Sequence, residues 1–140
     1  MNNRTKALKG ICEQYAIDIL YVFGSRSKEA KAWLDNNLTE LRQGLTDLDI
    51  GVKPAVKAVF SVRAKVSLAL ALEDLFGVTR VDLVVLSEAD PFLAANIIRG
   101  ERLYANDNYL ADEFDLYILR RAGDLAPLER ERMALIMGKS

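Results

Sequence analysis

An apolar run, Ile17-Asp-Ile-Leu-Tyr-Val-Phe23, stops abruptly at Gly24-Ser25, and a second one, Thr46-Asp-Leu-Asp-Ile-Gly51, carries two carboxylates one residue apart. β-Branched and aromatic residues bounded by a turn read as a strand, and side chains two apart on a strand share a face. Asp47 and Asp49 therefore project together, while Leu48 and Ile50 turn toward a core. Carboxylates this close repel each other at neutral pH unless water or a cation neutralises them, and an octahedral Mg²⁺ does so. Taken alone, Asp-x-Asp is weak evidence and more often a polar strand end in water.

Asp82 changes that balance. It lies inside Val81-Asp-Leu-Val-Val-Leu86, where a buried, unpaired carboxylate would cost several kcal/mol. Compensation comes from Arg80, from exposure at a strand end, or from a metal shared with Asp47 and Asp49. If the strands are neighbours, the three carboxylates converge. Two divalent ions held there would position a nucleoside triphosphate and activate an attacking hydroxyl, with Asp82 as general base or metal-mediated activator.

The turn supplies a complementary part. Gly24 lets the backbone approach a phosphate, the Ser25 hydroxyl donates to it, and a following helix N-terminus adds N–H groups. Arg26 either reaches the same anion or is a solvated surface residue. No Walker pattern and no strand followed by Gly-x-Gly-x-x-Gly is present, so the usual phosphate-loop classes lack support.

Composition narrows the chemistry further. The sequence has no histidine, which removes imidazole acid–base catalysis, His-based triads and His-containing zinc sites. With 140 residues, 51% of them hydrophobic and 28% charged, the expectation is one globular domain over 1–140. A net charge of −1 offers no broad basic footprint for nucleic acid. The single Cys12 cannot form an internal disulfide and fits the buried stripe of a first helix. A polar start with no apolar signal segment, and no run long enough to span a bilayer, make the expected location cytoplasmic with no membrane partner.

Periodicity predicts the remaining elements. Helices are expected over 4–16, 55–76, 92–99, from 106 through 121 and over 128–137, the last two separated by Gly123 and Pro127. The 55–76 helix carries Val59, Val62, Val66, Leu70, Leu72 and Leu75 as its apolar stripe and stops at Gly77, while Asp90 caps a helix that begins at Pro91. Strands are expected over 17–23, 47–53, 80–86 and 102–105. Between the turn and the second strand lies a helical excursion, 27–45, interrupted at Asp35-Asn36-Asn37 and ended by Gly44. Leu38 and Leu41 read as core residues, while for Trp33 a contact surface stays open beside core packing.

Gly24-Ser25-Arg26, then Asp47-Leu-Asp49, then Val81-Asp82-Leu83 resembles the nucleotidyltransferase signature of the DNA polymerase β superfamily. The size and the stretch Ile97-Ile-Arg-Gly-Glu-Arg-Leu-Tyr104 resemble its small prokaryotic branch, the minimal nucleotidyltransferases (MNT or MntA-like antitoxins). The resemblance runs from the first strand to Tyr104. It implies an α+β fold, a mixed sheet flanked by helices, with Mg²⁺ and ATP as cofactor and substrate. Gly24 and Ser25 would bind the triphosphate with Arg26 beside them, Asp47 and Asp49 would bind metal, and Asp82 would be the third carboxylate.

The same resemblance implies a partner. Such proteins are commonly paired with a HEPN-domain RNase toxin, which they neutralise by transferring AMP to a tyrosine near its active site. The expected activity is thus protein adenylylation within a hetero-oligomeric complex or a homo-oligomer, with no direct nucleic-acid partner. The 27–45 excursion makes the segment between Ser25 and Asp47 about twice the length usual in such a family. Insertions in surface connections cost little closure entropy, and this one is read as a lid, a docking surface or packing. Two other functions are consistent with the same residues: steric cover of a partner through Trp33 and the C-terminal helices, or nucleotidyl transfer to a small molecule of the aminoglycoside kind.

Overall fold

A computed structural model describes residues 1–43, 46–55 and 60–136, apart from the side chains at 128, 129 and 133. Expectations at Gly44, Leu45, Val59 and Met137, and for the Leu128 side chain, lie outside the described residues. The first helix, α1 (Asn3–Gln14), is capped by Asn2, whose side chain accepts from the Thr5 N–H at 2.8 Å. Strand β1 (Ile17–Phe23) leads into a single 3₁₀ turn over Gly24–Arg26 and then α2 (Ser27–Leu34). Next come β2 (Leu48–Pro54), α3 (Val62–Phe76), β3 (Val81–Val85), α4 (Pro91–Ile98), β4 (Glu101–Ala105) and α5 (Asn108–Ile136).

The four strands form one mixed sheet in the order β3-β2-β1-β4, with β1 antiparallel to β2 and β4, and β2 parallel to β3. Strand alternation gives the sheet two apolar faces, and helices cover both. Leu20, Val22, Leu48, Ile50, Val52, Val81 and Val85 pack with α1, α2 and α3 on one face. Ile19, Tyr21 and Phe23 pack with α4 and the first half of α5 on the other. The α+β expectation therefore holds.

Local punctuation behaves as chemistry dictates. Asp90 accepts from the Phe92 and Leu93 N–H groups at 2.9 and 3.0 Å, and Pro91 opens α4. Gly77 ends α3 at φ +67°, a left-handed cap that a side chain would disfavour. Gly51 faces α4 closely enough that a Cβ there would collide with the Ile97 side chain.

Several expectations are corrected by packing. Helix α3 begins at Val62, and of its expected stripe Leu72 is buried and Leu75 packs on the core, whereas Val62, Val66 and Leu70 face solvent and Leu68 and Phe76 go inward instead. This helix is apolar on two sides, and its contacts with α1 and β3 select the one that goes inward. Helix α5 runs through Gly123 and Pro127 without a break. Pro127 removes one i→i−4 hydrogen bond, and a helix of 29 residues carries that loss while its first half stays anchored.

The excursion after the turn also differs from the expectation. Only 27–34 is helical among its described residues, and Asn36 at φ +64° closes α2 by bringing its N–H to the Trp33 carbonyl. Arg4 holds the end of α2 and the non-helical backbone after it, donating to the carbonyls of Trp33 and Leu38 at 2.7 Å each and of Thr39 at 3.1 Å. Trp33 is no contact surface. It is buried against Phe76, their ring centroids 5.1 Å apart, with the Arg4 guanidinium 4.5 Å above it. Leu41 is buried as expected, whereas Leu38 is exposed. The excursion is thus packed onto the domain at Ala30, Trp33, Leu34 and Leu41.

Helix α5 is pinned to the sheet by a polar knot. The Tyr21 hydroxyl donates to Asp115, and Arg102 bridges Asp115 and Asp112 at 2.7 and 2.9 Å. Among the described residues no helix is long and apolar enough to cross a membrane.

Candidate active site

Topology assembles the site. Because β1 runs antiparallel to β2, its C-terminal end meets the N-terminal ends of β2 and β3 at one edge of the sheet. The register pairs Phe23 with Asp49 and Asp49 with Asp82. Leu48 and Ile50 face the first core, so Asp49 points to the opposite face, and Val81 and Leu83 leave Asp82 on that same face. Asp82 is exposed, so the buried-charge penalty expected from its apolar surroundings is relieved by its place at the strand end.

Asp47 sits one residue before β2 rather than on it. Its carboxylate pairs with Arg80 Nε at 3.5 Å, both side chains largely in solvent. Arg80 thus partners Asp47, not Asp82. Among the described residues no three acidic side chains stand close enough, as placed, to enclose a metal ion. Their charges nonetheless act on each other. Burial first, then the Asp82 and Asp47 carboxylates, raise the pKa of Asp49 above its ordinary value. An acidic, oxygen-only donor set with its charge incompletely neutralised suits a hard divalent cation such as Mg²⁺. Closing that set requires Asp47 to turn from Arg80, a rotation of an exposed side chain.

The turn lies directly against these acids. Gly24 adopts φ +77°, and a Cβ built on it would stand 2.5 Å from Asp49 Oδ2. Ser25 is exposed beside it, its hydroxyl free to face the same edge. A bound anion at this turn would lie next to whatever Asp49 holds.

Arg26 departs from both expectations, phosphate contact and solvated surface residue. It is buried, its Nε donating to Glu29 Oε1 at 3.1 Å, its Nη1 to the Thr46 carbonyl at 3.0 Å and its Nη2 to the Arg42 carbonyl. In the sequence Glu29 is an exposed-looking helix acid, and only its spacing, three residues after an Arg, carries the signal of a pair. A small cleft of about 250 Å³ lies between this segment and the 78–80 turn, with Asp47 and Arg80 on its walls. The larger cleft, about 550 Å³, opens at the other end of the sheet beside Lys53 and Phe114. That cleft holds none of Asp47, Asp49 and Asp82.

Solved structures share this fold. A solved toxin–antitoxin complex with AMP-PNP contains a chain that superposes with a TM-score of 0.70 at 19% identity, covering 97% of this chain and 99% of that one. A MNT antitoxin bound to tri-AMPylated HEPN toxin of Shewanella oneidensis gives 0.67 at 18% identity, with 96% of each chain covered. A chain named as a minimal nucleotidyltransferase gives 0.51 at 28% identity over 70% of this chain and 86% of that one. No curated protein matches the sequence. The family model described as Polymerase beta, Nucleotidyltransferase matches residues 6–109, which span the turn, both acidic strand ends and all four strands, and the chain belongs to that family.

Proposed function

We propose that this chain is the antitoxin of a toxin–antitoxin pair and neutralises a HEPN-domain toxin by transferring AMP from ATP to one of its tyrosines, using Mg²⁺. The observation that carries the reading is the register that sets Asp49 beside Asp82 with Gly24 against it. The likeness to chains from toxin–antitoxin complexes, one with AMP-PNP and one with an AMPylated toxin, supports the choice of partner and substrate.

Asp47, Asp49 and Asp82 would hold two Mg²⁺ ions, which supply charge neutralisation to the triphosphate. Gly24 leaves room for the phosphates against the turn, and Ser25 donates to them through its hydroxyl. The tyrosine oxygen forms a bond to the α-phosphorus while the bond from that phosphorus to the β-phosphate oxygen breaks, and pyrophosphate leaves. The tyrosine proton passes to a carboxylate oxygen of Asp82, which is exposed at the strand end and open to an incoming side chain.

The test is incubation with labelled ATP, Mg²⁺ and the product of the neighbouring gene. Label is expected on a toxin tyrosine and is expected to vanish with Asp47→Ala plus Asp49→Ala. Absence of transfer, together with neutralisation that the double substitution leaves intact, would point to steric cover instead. The exposed Val62, Val66 and Leu70 on α3 and Leu116 and Tyr117 on α5 favour that second reading; Trp33, being buried, does not contribute.

A further inference from the structure

Two side chains at the start of α2 hold the backbone that leads into the acidic strand. Arg26 donates to the carbonyls of Arg42 and Thr46, and Glu29 Oε2 accepts the Arg42 N–H at 2.6 Å. The two are joined to each other through Arg26 Nε and Glu29 Oε1 at 3.1 Å. Both are largely shielded from solvent, their side chains 9% and 14% exposed. Burying a guanidinium is expensive unless its donors are used. Here three of them go to fixed acceptors, two of which are main-chain carbonyls outside any helix or strand. Such carbonyls would otherwise need water, so the fork replaces solvent at those of Arg42 and Thr46.

The consequence reaches the site. Thr46 is the residue before Asp47, and Arg26 follows Ser25 directly. One guanidinium therefore ties the phosphate turn to the base of the carboxylate strand. We propose that Arg26 and Glu29 are positioning residues, a clamp that sets the distance between the Gly24-Ser25 turn and Asp47. The proposal rests on the nucleotidyltransferase reading for its functional half and on geometry alone for its structural half. A lysine cannot replace the arginine, since a point ammonium lacks the fork that spans two carbonyls and a carboxylate.

The experiment uses the full chain with Arg26→Lys and, separately, Glu29→Gln. Amide hydrogen exchange at Arg42 and Leu48, whose N–H groups donate to Glu29 Oε2 and to the Arg80 carbonyl, is followed without metal, and Mn²⁺ affinity is measured by electron paramagnetic resonance. Arg26→Lys is expected to speed exchange at those two amides while leaving the β1 amides protected, and to weaken Mn²⁺ binding about 10- to 100-fold, as loss of support behind a ligand does. In turnover with ATP and the toxin, kcat falls with little change in the KM for toxin. Glu29→Gln keeps one acceptor oxygen and is expected to act in the same direction more weakly; it decides the matter if Arg26→Lys does not fold. Unchanged exchange and unchanged Mn²⁺ affinity in the folded variants overturn the clamp. Exchange that rises while the wild-type chain binds neither Mn²⁺ nor ATP upholds the clamp's geometry and overturns the nucleotidyltransferase reading instead.

Discussion

Asp49 leaves residue 24 no room for a side chain: a Cβ on Gly24 would stand 2.5 Å from Asp49 Oδ2, and the Gly24 backbone sits at φ +77°. The turn and the acidic strand are therefore built against each other, and each limits what the other can be.

Gly24→Ala meets two penalties at once. The left-handed conformation costs a non-glycine residue about 1–2 kcal/mol, and the new methyl must push the Asp49 carboxylate aside. We expect a lower denaturation midpoint and, at temperatures where the variant is folded, loss of most nucleotide binding. Thermal melting and fluorescent ATP titration read the two effects separately.

Asp49 is easier to protonate in the folded protein than in the unfolded chain, because burial and the neighbouring Asp82 and Asp47 disfavour its charge. Its ionisation therefore weakens folding as pH rises through the folded-state pKa, and the effect is absent below the unfolded value. Asp49→Asn should accordingly raise metal-free stability at neutral pH, with the gain shrinking toward zero in acid. Denaturant melts from pH 3 to 7, about the range in which carboxylates titrate, check the sign; a gain that grows in acid would contradict it.

Trp33 is a core residue, so Trp33→Ala should cost about 3–5 kcal/mol, the range for large aromatic truncations. Leu38→Ala, at an exposed position, should stay within about 0.5 kcal/mol of wild type. Urea unfolding of both variants distinguishes a packed excursion from a loose one.

Tyr21 is fully buried and donates its hydroxyl to Asp115, which also binds Arg102. Burial, then the Asp115 hydrogen bond, raise the Tyr21 pKa, so the phenol stays protonated. Tyr21→Phe removes one donor to a charged acceptor and should cost about 1.5–3 kcal/mol. It should also loosen the first half of α5, which faster amide exchange near Asp115 would register.

Burial, with a smaller contribution from Glu13, pushes the Cys12 thiol up to about 12. Only the thiolate attacks alkylating reagents. The native protein should resist iodoacetamide at pH 8, about the usual labelling condition, and react once denaturant is added.

Much of the fold is legible in local chemistry. The β1 run ends where Gly24 takes a left-handed turn, Asp90 and Pro91 open a helix, and Gly77 closes one, because caps and turns depend on a few adjacent residues. Asp49 and Asp82 are legible for the same reason: carboxylates within apolar strand runs need an explanation whatever the topology.

The partners of those residues were not legible, since they come from distant parts of the chain. Arg26 looked like an anion contact and turned out to hold carbonyls sixteen and twenty residues away. Arg80 chose Asp47 over Asp82. Pro127 looked like a helix end, yet the helix continues through it.

The sequence by itself determined that β1 stops at Gly24, that Asp90 caps α4 and Gly77 ends α3, and that Asp47, Asp49 and Asp82 are acids in need of an explanation. Tertiary structure decided which apolar face of α3 is buried, that Trp33 belongs to the core, and that Asp49 and Asp82 are side by side. Periodicity says how many apolar faces an element has, but only the neighbouring element determines which of them loses its water.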